Sequence, residues 1–531
     1  MTCDAENAQI TLDTFRAGNN NPVFLIGPNG TRVSFQSQQR RAFNLVYCLN
    51  KCEGLSGKKV AVVGGGVTGI TAAVALSMNG ASVHLYEEKI EIFQKIPHCT
   101  DRYIHPNINF IPIEKLSFTT DLPAMNWHAD SARGVMRQLN NELRKHLHSH
   151  RNQGGRITTY PNRVSRLMNN QNGGVALYFM DGKKETRTPA YDYVICCTGF
   201  SSERKLKSKD GTEEYPGGTG YWDPDDVIQQ HDARDQKIEQ VVVVGGGDGG
   251  VIDALRYGPR IHGEDIHQFA LHATLHTSNN PLDANLDHII DKNKIKQGLK
   301  TVLLIKDQSS ATRWHQHLLK WFSNYYSKDS TAASIEVEIS SAVYFDSTNK
   351  KIIAELKHSQ NQPRDLNIEC SHVVIRTGGK HRVSLIESYL GGEGWKEFNY
   401  KEKHVSEFQL LKRWPDDYND AGADENKADH LFNHAVDALS KWVEVYRKVS
   451  GQPGAQMELA LSRATQGEQL ESVDIHQKPL RKEATGNEII YTVFCRPPIV
   501  HERLPGLPHI FGVPLTIEPK QKIVTKINGN I

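Results

Sequence analysis

The chain has 531 residues, 38% of them hydrophobic and 23% charged, with a formal net charge of +2. That length suits two or three domains around a sizeable core, and that composition argues against disorder. The near-neutral balance gives no electrostatic reason to expect nucleic acid or a membrane surface as a partner. No apolar run approaches the roughly 20 residues needed to span a bilayer, and the N-terminal MTCDAENAQI lacks the apolar stretch of a secretory signal. Eight cysteines (3, 48, 52, 99, 196, 197, 370 and 495) include no CxxC pair, and their scatter suits reduced thiols. The expected setting is cytoplasmic, with a small-molecule substrate; homo-oligomerisation stays open.

Residues 1–57 form a lead-in. Val23 to Ile26 and Thr31 to Phe35 flank Pro28-Asn29-Gly30 and predict a hairpin, after which Ser37 is expected to cap a helix striped by Ala42, Leu45, Val46 and Leu49. The stretch that follows, KKVAVVGGGVTGITAAVALSMNGASVHLYEE over Lys58 to Glu88, organises the chain. Val60 to Val63 read as a buried strand, and Gly64, Gly66 and Gly69 stand at GxGxxG spacing. In such an element the first glycine makes the tight turn and the second lets a pyrophosphate approach the backbone. The third lets the helix pack on the strand, while the helix N-terminus, here Val67 and Thr68, holds the phosphate charge. Val83 to Tyr86 make the next strand, and Glu87, followed by Glu88, stands roughly 20 residues on, where a carboxylate accepts from a ribose 2′-hydroxyl. Together these positions predict a dinucleotide site.

Irregular, Pro-rich sequence follows, and loops leaving such strands face the ligand crevice. Arg102 is therefore expected at the cofactor pyrophosphate, with Trp127 or His128 lining a flavin or substrate pocket. A helix is predicted from Asp130, as its cap, to Ser149, with Val135, Leu139, Leu143 and Leu147 in a stripe. Strands are expected near 156–160, 163–168 and 174–180, and a buried strand over 191–197 runs into Thr198-Gly199, where backbone comes close to a ligand. Residues 200–237 read as a linker.

A second unit begins at Gln240, where Val241 to Val244 lead into Gly245, Gly247 and Gly250. No acidic residue closes a clear second strand about 20 residues on. His272 and His276 have the i, i+4 spacing of a metal pair, but with no acidic or cysteine partner nearby they read as ordinary polar histidines, and no metal site is expected. Strands are predicted at 299–306, 335–339, 342–346 and 351–356 and a helix over 313–326. Ser371 to Ile375 again run into Thr377-Gly378, so each glycine-rich unit closes on the same element. A helix over 429–446 makes 395–487 look like a helical cap, and the chain ends with a strand from Ile489 and a segment reaching Gly512.

With both glycine-rich loops and both Thr-Gly elements in order, the chain resembles the flavoproteins with two dinucleotide-binding domains, which include flavin monooxygenases, N-hydroxylases and thioredoxin-reductase-like enzymes. The resemblance implies an α/β protein of two Rossmann-like dinucleotide-binding domains, the second inserted in the first, plus a mostly helical C-terminal insert. The expected boundaries are 1–57, 58–237, 238–394, 395–487 and 488–531. It implies FAD on Gly64, Gly66, Val67, Thr68, Gly69, Glu87, Glu88, Arg102, Thr198, Gly199 and Gly512, and NAD(P)H on Gly245, Gly247 and Gly250. Gly512 is followed by Val513 where such chains carry aspartate. The implied activity is NAD(P)H-dependent and monooxygenase-like, since the missing CxxC speaks against disulphide exchange. An amine or amino-acid oxidase with a non-binding second fold, and a nucleotide-sensing module, are the alternatives. Catalytic residues stay open, with His105, His128 and Asp248 the titratable groups nearest the expected crevices.

Overall fold

The computed structural model describes residues 5–18, 21–27, 34–93, 102–106, 120–149 except 121, 156–203, 205–215, 220–222, 240–258, 299–306, 319, 334–346, 348–349, 351–356, 364–368, 372–381 and 384–404. It also describes the strands at 456–463, 469–474, 489–496, 516–518 and 522–527. Apart from residue 319, the helices expected at 313–326 and 429–446, the histidines at 262–276 and Gly512 lie outside the described residues.

The first sheet is parallel throughout, in the order Val23–Leu25, Tyr193–Cys196, Lys59–Val63, Ser82–Tyr86, Arg156–Tyr160. A strand covered on both faces must be apolar at consecutive positions, and Lys59–Val63 serves two cores by alternation. Val60 and Val62 join the cluster that includes Leu45, Leu49, Ile70, Val74, Val135 and Leu139 of three helices, Phe35–Glu53, Val67–Met78 and Ala132–Ser149. Ala61 and Val63 join Leu167, Val175 and Leu177 of the antiparallel ribbon 164–187, together with Leu385 and Ile386 of the helix Ser384–His404.

Two local expectations change at the lead-in. Among the described residues Val23–Leu25 has no hairpin partner; it is the edge strand of the first sheet, parallel to Val194–Cys196. The helix that follows is capped by Ser34, whose hydroxyl accepts the Ser37 N–H at 3.1 Å while Ser37 returns the bond, a capping box one turn earlier than the Ser37 cap read from the sequence. Ser131 likewise replaces Asp130 as the cap of Ala132–Ser149, its hydroxyl accepting the Gly134 N–H at 3.1 Å. In both helices the apolar stripe is buried as expected, but nearby serine and aspartate side chains are equivalent as caps in sequence, and where the chain enters decides between them.

The second sheet repeats the first. Its parallel strands run His372–Ile375, Gln240–Val244, Lys300–Ile305, then the first half of Ser334–Asp346. The two strands expected at 335–339 and 342–346 are one strand with a register shift between Ser340 and Ala342. Its second half turns antiparallel to Lys351–Leu356 and leads to Arg364–Ile368. The two Thr-Gly elements meet: Phe200–Glu203, leaving the first sheet, pairs antiparallel with Gly379–His381, leaving the second. Ser384–His404 then carries the chain back onto the first sheet, crossing the expected 394/395 boundary with a kink at Gly391.

Beyond 455 the expectation of a mostly helical insert is corrected. Gln456–Arg463 and Gln469–Asp474 are strands, and with Ile489–Arg496, Thr516–Glu518 and Lys522–Ile527 they make a separate five-stranded antiparallel sheet. Met457, Leu459 and Leu461 recur at every second position, the period-2 pattern of a strand.

Candidate functional site

Val63 ends the first strand and Gly64 turns the chain at φ 111°, its N–H donating to the Tyr86 carbonyl at 2.8 Å. The three fingerprint glycines then do different work. A side chain at Gly64 would run into the Cys197 carbonyl, and one at Gly69 into the Gly64 carbonyl, so both are required by the protein's own packing. Gly66 is exposed, and nothing lies within 4 Å of where its side chain would begin. It caps the helix Val67–Met78 without any side-chain cap bond, so the first N–H groups and the positive end of the helix dipole are presented to an anion. Val67 is buried and Thr68 partly so at that terminus.

Glu87 lies against this loop. Its Oε2 accepts the Gly65 N–H at 2.5 Å, its Oε1 accepts the Lys89 N–H at 3.1 Å, and its own N–H donates to the Tyr160 carbonyl at 3.0 Å. A carboxylate has about four acceptor sites, so two remain for a ribose. Glu88 turns towards Arg163, 3.9 Å away. Thr198-Gly199 follows the neighbouring strand Tyr193–Cys196, with Gly199 at φ 62° and open space at its Cβ position. A cradle that a Cβ at Gly66 would fill, an uncapped helix start and a placed carboxylate fit the ADP part of a dinucleotide.

The second loop has the same skeleton. The Gly245 N–H donates to the Leu304 carbonyl at 2.9 Å, and the Arg376 N–H to Val244 at 2.7 Å, as the Cys197 N–H does to Val63 at 2.7 Å. Gly250 abuts the Gly245 carbonyl as Gly69 abuts Gly64, and Gly247 caps Asp248–Tyr257 without a side-chain bond. Asp248 is the acid of the first turn, where it complements the helix dipole.

Arg102, expected at the cofactor pyrophosphate, is buried against the second fold's helix. Its guanidinium makes a two-pronged pair with Asp253 on the second fold's helix, Nη2 to Oδ2 at 3.1 Å and Nη1 to Oδ1, and its Nε donates to the Tyr221 carbonyl at 3.0 Å. Arg376 Nε donates to Asp253 at 2.5 Å and Arg256 at 3.2 Å, so one carboxylate gathers three cations, all of them buried. Burial alone would push the Asp253 carboxyl up; Arg102 and Arg376 offset this and hold it below the usual carboxylate range. The Tyr221 ring lies under Arg102, 4.2 Å from the guanidinium carbon, and 3.1 Å from the Cβ position of Gly249, so a side chain there would crowd the ring. From Tyr221 an aromatic path leads through Trp222 and Phe35 to Trp127. The two folds are therefore joined by a buried ionic and aromatic brace. Sequence reasoning missed Asp253, Arg376 and Tyr221, because nothing local marks partners 151 residues apart, the separation of Arg102 and Asp253.

Trp127 is likewise a core residue, fully buried, with its ring N–H donating to Gln39 at 2.7 Å. His105 and His128 are buried, the latter beside Gln138. Cys196 and Cys197 join opposite cores, as expected for neighbours on a strand. Burial pushes the Cys196 thiol up to about 12 and Cys197 up as well.

Two sheets with parallel central strands, each with a glycine-rich turn into a helix and a neighbouring strand that runs towards Thr-Gly, define a protein built on paired dinucleotide folds. Residues 58–306 match the pyridine nucleotide-disulphide oxidoreductase family. Proteins of this family are FAD-dependent oxidoreductases that use NAD(P)H, and FAD and NAD(P)H are the cofactors here. No curated protein matches the chain. Similar solved structures include a bacillithiol disulfide reductase from Staphylococcus aureus (12% identity, covering 63% of this chain and 80% of that one, TM-score 0.38). Others are a thioredoxin reductase from Lactococcus lactis (13%, 63% and 81%, 0.35) and a flavin monooxygenase mutant from Stenotrophomonas maltophilia (12%, 64% and 84%, 0.36). Among the described residues no helix is long and apolar enough to cross a membrane.

Proposed function

We propose that this protein is an NAD(P)H-dependent flavin monooxygenase acting on a small molecule, rather than a disulphide reductase. The observation that carries this reading is the state of the adjacent pair Cys196-Cys197. Both are buried, both are held protonated by burial, and they face opposite cores, so neither can attack a disulphide or relay to the other. Cys48 is also buried.

The first loop would hold FAD: Gly66 admits the pyrophosphate, the Val67–Met78 helix start neutralises its charge, and Glu87 accepts the ribose hydroxyls. The flavin supplies hydride acceptance and reaction with dioxygen when bound. The second loop would take the nicotinamide nucleotide by the same backbone devices around Gly245, Gly247 and Gly250. The balance is NAD(P)H, a proton, dioxygen and substrate giving NAD(P)⁺, water and hydroxylated substrate.

Anaerobic mixing of the purified holoprotein with NADPH or NADH should bleach the flavin band near ~450 nm. Under air, ¹⁸O₂ should label the product of a turned-over substrate. Rapid NAD(P)H-driven reduction of a disulphide such as 5,5′-dithiobis(2-nitrobenzoate), without oxygen incorporation into any product, would overturn the reading.

A further inference from the structure

The repeat between the two loops identifies which residue of the second fold stands where Glu87 stands in the first. Gly64 donates to the carbonyl of Tyr86, and Gly245 to that of Leu304. Tyr86 and Leu304 are therefore equivalent, Glu87 corresponds to Ile305, and Glu88 to Lys306. A second contact gives the same alignment. A Cβ at Gly65 would lie 3.0 Å from the Glu87 Cβ, and one at Gly246 would lie 3.0 Å from the Ile305 Cβ.

The position that offers a carboxylate to a ribose in the first fold thus carries an isoleucine in the second. Ile305 is 8% exposed and has no polar atom beyond its backbone. A free ribose 2′-hydroxyl would find no side-chain acceptor there. A 2′-phosphate would meet no carboxylate at position 305 to repel it, and the next residue is the exposed cation Lys306. An ammonium beside a phosphate makes a charge-assisted hydrogen bond, whereas a hydroxyl in the same place gains little from it.

We propose that the second fold selects a nucleotide carrying a 2′-phosphate, NADPH over NADH, and that Ile305 and Lys306 are its specificity-determining residues. The proposal rests on the reading that the second loop binds a nicotinamide nucleotide, and it names which one.

The test uses the full chain loaded with FAD, so that the first loop is occupied. Calorimetric titration compares adenosine 2′,5′-bisphosphate with adenosine 5′-monophosphate, which reports recognition of the 2′-phosphate without any turnover. The bisphosphate should bind at least about tenfold more tightly, a typical effect of one charge-assisted bond. Lys306→Ala should remove most of that preference, and Ile305→Glu should reverse it. Anaerobic flavin reduction should rank NADPH and NADH in the same order in each variant. Equal binding of the two adenosine nucleotides, a preference for NADH, or a ratio unmoved by both substitutions overturns the selectivity while leaving nicotinamide binding intact. Absence of binding by either nucleotide, with no flavin reduction by NADPH or NADH, is a different pattern. It removes the nicotinamide reading itself and the selectivity with it.

Discussion

The two glycine-rich loops share a backbone and differ in everything attached to it. In both, the first glycine donates to the neighbouring strand, the third abuts the carbonyl of the first, and the residue before Thr-Gly closes the turn. In the first fold that closing residue is Cys197, a buried thiol in an apolar core. In the second it is Arg376, which reaches Asp253 and through it Arg102 of the first fold. The first loop also has Glu87 on its rim, while the second has Ile305. One backbone solution for phosphate thus serves two ends, a carboxylate-edged site in one fold and a site tied into an interfold brace in the other. The glycine spacing carries the shared part, and the flanking side chains carry the difference.

The largest test of that difference is Asp253→Asn. It leaves three buried guanidiniums around a neutral amide, and removal of one partner from a buried ion network typically costs about 3–5 kcal/mol. Thermal unfolding should show a drop of many degrees, and an unchanged midpoint would mean the brace contributes nothing. The first loop, which has no such network, should be most sensitive to packing. Gly69→Ala forces a methyl into the Gly64 carbonyl, and overpacking of this kind costs about 1–3 kcal/mol. Gly66→Ala meets open space instead, so the variant should melt like the parent when freed of cofactor yet retain less FAD. If both variants lose stability equally without cofactor, Gly66 is a packing residue like its neighbours.

Glu87→Ala should weaken FAD retention by about tenfold, the scale of a hydrogen bond to a charged acceptor. The readout is absorbance of the purified protein, and a variant that purifies fully yellow would remove Glu87 from the site. Its counterpart Ile305→Ala should leave FAD retention unchanged, which sharpens the contrast between the rims.

The smallest effect concerns pH. His84, on the strand that delivers Glu87, is held below its ordinary value of 6.5 by burial first, then by Lys59 and Arg156. Its Nδ1 lies 2.8 Å from the Tyr191 hydroxyl, which in turn lies 2.6 Å from that of Tyr86. The unfolded chain therefore takes up a proton at His84 before the folded chain does. Stability is fully present above about 6.5 and declines as pH falls towards the lower folded value. His84→Gln should flatten that decline in melts taken across this range. A parallel curve would show that His84 stays uncoupled from folding.

Much of this was legible in the sequence because it is local. A run such as Val60 to Val63 is a buried strand whatever surrounds it, and Gly64, Gly66 and Gly69 announce a strand-to-helix turn because their spacing follows from one turn of backbone. The same holds for the stripe of Val135, Leu139 and Leu143, each buried as its period requires. The caps at Ser34 and Ser131 were missed by a few residues, since serine and aspartate compete locally for the same N–H groups. The recurrence of Met457, Leu459 and Leu461 at every second position is local too, and the expected helical insert runs across it.

What only the tertiary structure decided was which distant elements meet. No spacing rule could find the second fold's ribose position, because the strand Lys300–Ile305 follows its glycine loop by far more than the usual interval. A cation such as Arg102 downstream of a cofactor strand has two possible counterions, and sequence does not say which is nearer. The fold brings Asp253 within hydrogen-bonding distance in a buried place, where an unpaired guanidinium would be too costly to keep. Local backbone preferences write themselves into consecutive residues; electrostatic partnerships across the chain do not, and they become visible only once packing has excluded water from between them.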